Sequence, residues 1–440
     1  MFRKMVSVLA SVGLMLSLCG CDLFTADTAE LLSPPSLSGD LKYISQAIKQ
    51  SASDGYTLKY PSRGSYRSAV VQQDINNDGR NEAFAFYSTT DGDVVTMHIN
   101  VVHKVDEDWI SAGEQRIVAG GVDKIEFCDL DADGVLDILV GWEVYGASEK
   151  QLSVYSFTKN TLTQRLLQKY TDFATCNLDS DQKNEVLIVD FNATELKNNA
   201  SLYTLSDEGA VQIGSCQLDS KVQSVGEPII AQLSSGKPAV YIDSIKGVGA
   251  ITEVLIVDKG QLLNPLYDAE LQETSQTLRS SSYSVNDING DGILEIPVQE
   301  NVPAVAGTEL TEKLYLTKWC SFNGENLTNQ LTTMINVLDG YYYTLPEKWV
   351  GNIAVLKDTD NRIREVYSYD SQNLTVGESL LYLRAFSKKE WQSGKYDDLG
   401  LSEVAADDKN IFVCKISGAA KNLGLTLENV KSNFVIYEKE

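Results

Sequence analysis

A nine-residue segment with acidic side chains at alternating positions constrains this chain more than any other feature. Residues 129–137 read DLDADGVLD and carry acids at positions 1, 3, 5 and 9, which are Asp129, Asp131, Asp133 and Asp137. Several carboxylates in one tight loop supply the oxygen ligands that a hard cation prefers. Gly134, at position 6, permits a turn that a side chain would hinder. The segment therefore predicts a cation-binding loop, with the backbone carbonyl of position 7 as a further ligand.

The same pattern occurs three more times, as DINNDGRNE from residue 74, NLDSDQKNE from residue 177 and DINGDGILE from residue 287. The third copy has Asn177 at position 1 and Gln182 in place of the glycine. If position 6 must be left-handed, a residue other than glycine costs about 1 kcal/mol there, so we expect the third site to be the weakest. The ligands predicted at positions 1, 3, 5, 7 and 9 of the four copies are Asp74, Asn76, Asp78, Arg80, Glu82; Asp129, Asp131, Asp133, Val135, Asp137; Asn177, Asp179, Asp181, Lys183, Glu185; and Asp287, Asn289, Asp291, Ile293, Glu295.

The residues around each copy predict strands. An EF-hand loop would place its closing acid at position 12 and lie between two helices. Here the closing acid is at position 9, and the apolar runs AFAFY, ILVGW, VLIVD and IPV follow at once. Short runs rich in β-branched and aromatic residues are typical of strands. Each acidic loop is therefore predicted to connect two strands.

The spacing of the copies predicts a repeat architecture. They start at residues 74, 129, 177 and 287, in steps of 55, 48 and 110, and the last step is twice 55. A copy that has lost its acids is therefore expected near residue 232, where residues 231–243 read AQLSSGKPAVYID. A period of about 50 residues with several short strands fits one four-stranded propeller blade. We predict a mainly β chain whose residues 65–338 form a β-propeller of about five blades, with five to seven as the range.

The acidic loops resemble those of FG-GAP or VCBS-type repeats, the repeats of integrin-α-like propellers, whose blades carry a D-x-D-x-D-G-x-x-D calcium loop between their first two strands. The resemblance covers roughly residues 65–335. It implies that calcium is a structural cofactor here, and that the side chains of Asp129, Asp131, Asp133 and Asp137 with the carbonyl of Val135, and the matching positions of the other copies, are its ligands.

The segments on either side of the repeats predict further units. Residues 40–64 are expected to form a helix, with Leu41, Ile44 and Ile48 on one face, and a lead-in strand. After residue 338 the repeat spacing ends, and residues 339–440 read as a small α+β domain of antiparallel strands with a closing helix. No activity follows from that domain.

The first 20 residues have the layout of a secretory signal, with Arg3 and Lys4 followed by an apolar segment that is too short to span a membrane. The sequence Leu-Cys-Gly-Cys that ends at Cys21 resembles a bacterial lipobox. This resemblance implies acylation of Cys21, with Cys19 as the weaker candidate, and a lipid bilayer that holds the protein facing outward. Residues 21–39 are polar and contain proline, as suits a flexible tether.

The net charge argues against some partners. It is −24, and removal of residues 1–20 with Arg3 and Lys4 would change it to −26. Nucleic acid requires a basic face, and no glycine-rich nucleotide loop is recognisable.

Five cysteines follow Cys21, so they cannot all pair. Cys128 and Cys176 occupy the same place in neighbouring repeats and offer one conceivable bridge, but buried thiols are favoured in a chain that is long enough to form a core.

Catalytic groups are scarce. The two histidines, His98 and His103, lie five apart on one predicted strand and thus on opposite faces.

The favoured function is a cell-surface binding scaffold for an extracellular protein or glycan. One alternative is a glycan-active enzyme that uses propeller carboxylates, with Glu143 beside Trp142 and Tyr145 as the first candidate. Another alternative is an envelope assembly or sensor component.

Overall fold

The chain is mainly β. The computed structural model describes residues 39–52, 55–106, 108–144, 149–192, 197–280, 283–303, 305 and 314–437. Within these ranges the strands form six antiparallel sheets of four or five strands. None of the helices described is long and apolar enough to cross a membrane. The predicted signal sequence, the lipidation site Cys21 and nearly all of the predicted tether lie outside the described residues.

A helix and the first sheet begin the described chain. Helix α1 (Asp40–Ser51) precedes strands β1 (Thr57–Leu58), β2 (Val70–Gln73), β3 (Glu82–Asp91), β4 (Val94–Val105) and β5 (Asp108–Val118). Ile44, Ala47 and Ile48 of α1 pack on one face of the first sheet. The helix is thus confirmed, but the prediction for Leu41 was wrong, because this side chain is 42% exposed and Ala47 takes its place in the buried face.

Three sheets of similar construction follow. The second contains β6 (Gly121–Cys128), β7 (Asp137–Glu143), β8 (Lys150–Thr158) and β9 (Thr161–Tyr170). The third contains β10 (Asp172–Cys176), β11 (Glu185–Asn192), β12 (Lys197–Ser206) and β13 (Gly209–Gln217). The fourth contains β14 (Ser224–Val225), β15 (Ile229–Gln232), β16 (Pro238–Lys246), β17 (Gly249–Asp258) and β18 (Gln261–Leu263). In the second and third sheets each strand pairs with the next one along the chain.

The last two sheets are completed by the C-terminal part of the chain. The fifth contains β19 (Ile296–Asn301), β20 (Tyr315–Phe322), β21 (Leu327–Asn336) and β22 (Tyr341–Thr344), and the sixth contains β23 (Ile353–Asp358), β24 (Ile363–Asp370), β25 (Thr375–Ser387), β26 (Ser402–Ala406) and β27 (Asn410–Ile416). Strand β28 (Phe434–Ile436) returns to pair with β22. The helical segments here are short: α2 (Lys388–Trp391), α3 (Gly418–Asn422), α4 (Leu427–Ser432) and the 3-10 turns Glu347–Trp349 and Asp397–Leu399.

Consecutive sheets pack face to face. In β7, Ile138 and Val140 pack toward the first sheet, whereas Leu139 between them packs toward the third. Further apolar clusters join the third sheet to the fourth, the fourth to the fifth and the fifth to the sixth. Strands buried on both faces require the apolar runs that the sequence shows. The sheets therefore stack in chain order as the blades of a β-propeller, and six sheets fall within the predicted range of five to seven.

The C-terminal part combines strands and short helices, as the α+β prediction states, but it shares a core with the preceding sheet. Tyr341 and Tyr343 of β22 lie in one buried cluster with Leu381 and Phe412 of the sixth sheet. The predicted boundary between residues 338 and 339 therefore falls within the fifth sheet, because β22 completes that sheet through its pairing with β21. The sequence gives no sign of this, since a strand does not specify its partner.

Candidate metal centres

The four acidic segments occupy equivalent places in the fold. We name residues 74–82, 129–137, 177–185 and 287–295 loops A, B, C and D. Loops A, B and C each connect the first hairpin of a sheet, and in loop D the bridge between Asn286 and Glu295 takes the place of the first strand pair. The acid-free copy expected near residue 232 is also such a hairpin, between β15 and β16. The prediction that the loop joins two strands is confirmed for loops A, B and C, whereas loop D has a strand on its C-terminal side and only a single bridge on the other.

Loop B brings most of its predicted ligands together. Asp129 accepts hydrogen bonds from the backbone N–H groups of Ala132 at 2.8 Å and Gly134 at 3.0 Å. Asp133 accepts one from the N–H of Val135 at 2.8 Å. These bonds wrap the backbone around the carboxylates, so that Asp129, Asp131 and Asp133 each offer an oxygen atom within 4.8 Å of the others. Gly134 has a φ of 86°, the left-handed region expected for position 6.

Loops A and D repeat this conformation. The N–H of the position-6 glycine donates to the first acid in both, from Gly79 at 2.8 Å and from Gly292 at 2.9 Å. Their third position is an asparagine, which offers a neutral oxygen where loop B has a carboxylate. In loop D the amide nitrogen of Asn289 donates to Asp291 and Glu295, at 3.0 and 3.2 Å. A cation in loop D would replace those two bonds.

Loop C departs from the pattern of the other three loops. Gln182 is not among the described residues with a positive φ, so the left-handed strain that motivated the prediction of a weak third site does not arise. Asp179, Asp181 and Glu185 still offer oxygen atoms within 4.8 Å of one another. The side-chain oxygen of Asn177 is shielded from solvent and has no donor among the described residues. A low affinity at loop C stays a prediction, based on the missing carboxylate.

The acid at position 9 is buried in all four loops. The exposed fractions of Glu82, Asp137, Glu185 and Glu295 are 6%, 3%, 1% and 0%. Each of them accepts a hydrogen bond from the backbone N–H of position 2, at 2.9 to 3.2 Å. Burial raises the pKa of Asp137 to about 6 and that of Glu185 to about 7. A divalent cation would offset this cost, because a nearby positive charge favours the ionised carboxylate. These oxygen ligands thus fit a divalent cation, while its identity as calcium and ligation by the position-7 carbonyls stay predictions.

Neighbouring loops are connected to one another. The N–H of Leu136 in loop B donates to the carbonyl of Ile75 in loop A at 2.7 Å. The side-chain nitrogen of Asn184 in loop C donates to the carbonyl of Asp129 in loop B at 3.0 Å. Loops A, B and C therefore form a row at one end of the first three sheets, and the conformation of one loop affects the position of the next.

A charged cluster that the sequence did not reveal lies where the first strands of the second and third sheets begin. Arg63 forms ion pairs with Asp123 and Asp172 at 2.8 Å and with Glu227 at 3.0 Å, so that one side chain contacts acids of the second and third sheets and of the segment between β14 and β15. Burial alone would raise the pKa of Asp123, but hydrogen bonds from Arg63, Lys150 and Tyr170 lower it to about 2. Arg63 belongs to no recognisable motif, so the sequence did not predict its ion pairs.

The two histidines considered in the sequence analysis both lie in the first sheet. His98 and His103 both lie on β4, where His98 contacts Thr89 and Glu114 at 2.8 Å and stacks on Tyr87. Burial lowers the pKa of His103.

The five cysteines after Cys21 are free, so the conceivable bridge between Cys128 and Cys176 is not formed.

Trp142 was predicted as an aromatic side chain beside Glu143 that could help to bind a sugar, and this prediction was wrong. This side chain is fully buried and donates to Ser153 at 3.1 Å, which leaves it unable to stack on a sugar. Tyr145 lies outside the described residues.

Comparisons with known proteins reveal only distant likenesses. No protein-family model matches the chain, and no curated protein matches it. Among solved structures, polysaccharide lyase Uly1 is 11% identical with a TM-score of 0.30, over 85% of this chain and 95% of that chain. The periplasmic gluconolactonase PpgL of Pseudomonas aeruginosa is 10% identical with a TM-score of 0.28, over 73% and 86%. The β-propeller domain of the Trilobed protease from Pyrococcus furiosus is 11% identical with a TM-score of 0.27, over 72% and 90%. At TM-scores this low, the likenesses give no information about the activity or the ligand of this protein.

Proposed function

We propose that this protein is an exported, lipid-anchored binding scaffold whose propeller is stabilised by calcium in loops A to D and presents a surface to an extracellular protein or glycan. One observation carries the calcium role: all four loops bury an acid at position 9 and attach it to the backbone in the same way. The likeness of the loop motif to FG-GAP or VCBS-type repeats supports the same role for calcium. In this proposal, Cys21 carries the lipid.

The expected role of calcium is to stabilise the folded state. A ligand that binds only the folded state stabilises it by RT ln(1 + [L]/Kd). Extracellular calcium sites with a Kd of about 10⁻⁴ M in millimolar calcium would each contribute roughly 1.4 kcal/mol. Because the loops connect the first hairpins of three sheets and precede the first strand of a fourth, this stabilisation is expected to act on much of the propeller.

Chelation tests this proposal. We expect EGTA to lower the melting temperature of the mature chain by several degrees, as measured by circular dichroism, and added calcium to restore it. Magnesium should restore much less, since it requires near-ideal octahedral geometry and gives up its water reluctantly. An unchanged melting temperature after chelation would contradict the structural role of calcium.

A further inference from the structure

The outer face of the sixth sheet differs from the other sheet faces. The first sheet is covered by α1 and by the second sheet, and the next four sheets each pack between neighbours. The sixth sheet packs one face on the fifth. Over the part of the chain that the structure describes, its other face is covered at one end by the segment after β25, where Trp391 and Tyr396 pack on Phe386. An open cleft remains beside that segment.

The cleft has the size and wall composition of a small-molecule site. Its volume is about 510 Å³, and such sites typically have about 300–1,000 Å³ and a few polar groups among apolar ones. Strands β24, β25 and β27 form its floor, and residues around Leu399 form one wall. Its lining includes Glu365, Ser379, Tyr382, Leu399, Lys415 and Ser417.

The polar groups of the cleft are held in place. The hydroxyl of Ser379 donates to Glu365 Oε1 at 2.6 Å, and the hydroxyl of Tyr367 also hydrogen-bonds to this carboxylate. Two fixed donors hold the Glu365 carboxylate, and Lys415 is an exposed cation in the same lining. Tyr382 is half-buried, and Leu399 is 45% exposed. The cleft thus places an aromatic and an aliphatic side chain beside an oriented acceptor and a donor.

We propose that this cleft binds a neutral oligosaccharide, an inference that rests on the proposed function and names the ligand class of the scaffold. A sugar ring presents C–H groups that pack on an aromatic face and hydroxyl groups that bond to a carboxylate and an ammonium group. A peptide that adds a strand needs the edge of a sheet, whereas this cleft exposes side chains on a face. The opposite charges of Glu365 and Lys415 offset each other, and the net charge of −24 repels an acidic saccharide.

A titration of the full chain in detergent, saturated with calcium, tests this site. The probes are cellotetraose and chitotetraose as neutral saccharides and tetragalacturonate as an acidic one, with binding measured by calorimetry. We expect a neutral tetraose to bind and Tyr382→Ala and Glu365→Gln each to weaken that binding by about tenfold or more. Tyr60→Ala is the matched control, because Tyr60 is 62% exposed and lies outside the cleft lining. The melting temperature of each variant shows that it is folded.

The outcomes separate this site from the calcium role. The inference is overturned if neither neutral tetraose binds at millimolar concentration, if Tyr382→Ala binds as the wild type does, or if tetragalacturonate binds more tightly. A chelation effect on the melting temperature without saccharide binding removes the cleft site alone. Saccharide binding without a chelation effect removes the calcium role alone.

Discussion

Asp133 illustrates how one carboxylate serves both the loop and the cation. Its Oδ1 accepts the N–H of Val135, and it offers an oxygen within 4.8 Å of those of Asp129 and Asp131. Without a cation, three carboxylates at this distance repel one another. Burial already raises the pKa of Asp131, so the ionised cluster is costly unless a positive charge is present.

We expect Asp133→Ala to reproduce part of the effect of chelation. In millimolar calcium it should lower the free energy of unfolding by about 1 kcal/mol through the loss of one site. In EGTA the difference from the wild type should shrink. Urea unfolding with and without calcium measures this. Asp207→Ala, at an exposed acid in another hairpin turn, should leave both values unchanged, and an equal loss in EGTA would argue for a role independent of calcium.

Glu253 is a buried acid outside the acidic loops. It lies on β17 with no exposed surface, and its Oε1 accepts from the N–H of Asp219 at 3.0 Å and from the side chain of Asn264 at 2.7 Å. Its Oε2 has no partner among the described residues. Burial raises the pKa of Glu253 from 4.5 to about 7, so the folded protein favours the neutral carboxyl group.

This shift predicts the pH dependence of stability. Because the pKa is higher in the folded state, the contribution of Glu253 is fully present below pH 4.5 and is lost as the pH rises through 7. Glu253→Gln should match the wild type at low pH and become the more stable of the two as the pH rises. The difference should approach about 1.4 kcal/mol per pH unit between the two values. Urea unfolding from pH 5 to 8 in saturating calcium measures it, with Glu208→Gln, at an exposed acid, as the control. Parallel profiles for wild type and Glu253→Gln would contradict the assignment.

At the scale of the element, the four loops show how few residues set a conformation. In loops A, B and D the N–H of the position-6 glycine donates to the first acid. Loop C has neither residue, and the side chain of Asn177 instead donates to the carbonyl of Asp181 at 2.8 Å. The hydrogen bond that loop C lacks thus joins positions 1 and 6.

We therefore expect the double substitution Asn177→Asp with Gln182→Gly to convert loop C to the geometry of loop B. The new carboxylate adds a ligand, and the glycine permits the left-handed turn without strain. Differential scanning calorimetry should show a larger rise in melting temperature on addition of calcium than in the wild type. Gln182→Gly alone is the control and should give a small change, because it adds no ligand. An unchanged calcium response of the double variant would show that another feature limits loop C.

In the molecule as a whole, Arg63 connects the second and third sheets to the segment between β14 and β15, at the end opposite the acidic loops. Its side chain is 23% exposed, whereas those of Asp123 and Asp172 are 2% and 8% exposed. Lys150 also pairs with Asp123 at 2.7 Å, and Lys124 with Asp172 at 2.9 Å. The charges in this cluster depend on each other, because each buried acid shares two cations.

We expect Arg63→Met to destabilise the protein by about 2 to 3 kcal/mol. Breaking a buried ion pair costs roughly 3–5 kcal/mol, and the two lysines that remain reduce that cost. Arg67→Met, at an exposed arginine four residues away, should change stability by less than about 0.5 kcal/mol. Chemical unfolding of both variants measures the difference. Equal stabilities would mean that the sheets are held together without Arg63.

Local patterns in the sequence were enough to predict the features that depend on a few neighbouring residues. The acidic loops, the hairpins around them and helix α1 follow from local hydrogen bonds, from continuous apolar runs in the strands and from the helical spacing of apolar residues in α1. The repeat spacing also indicated a stack of sheets, including the acid-free hairpin near residue 232. These predictions succeeded because the bonds that shape each loop join residues at most seven positions apart.

Contacts between residues that are distant in the chain became apparent only from the packing of the sheets. Arg63 reaches acids that are 60, 109 and 164 positions away. Strand β22 belongs to the fifth sheet and shares a core with the sixth, which the repeat spacing does not show. The cleft around Tyr382 exists because the sixth sheet has no further sheet on its outer face in the described chain. The physical reason is that a buried apolar or charged side chain requires a partner, but its residue type does not determine which residue that is. The packing of the sheets brings the partner into contact.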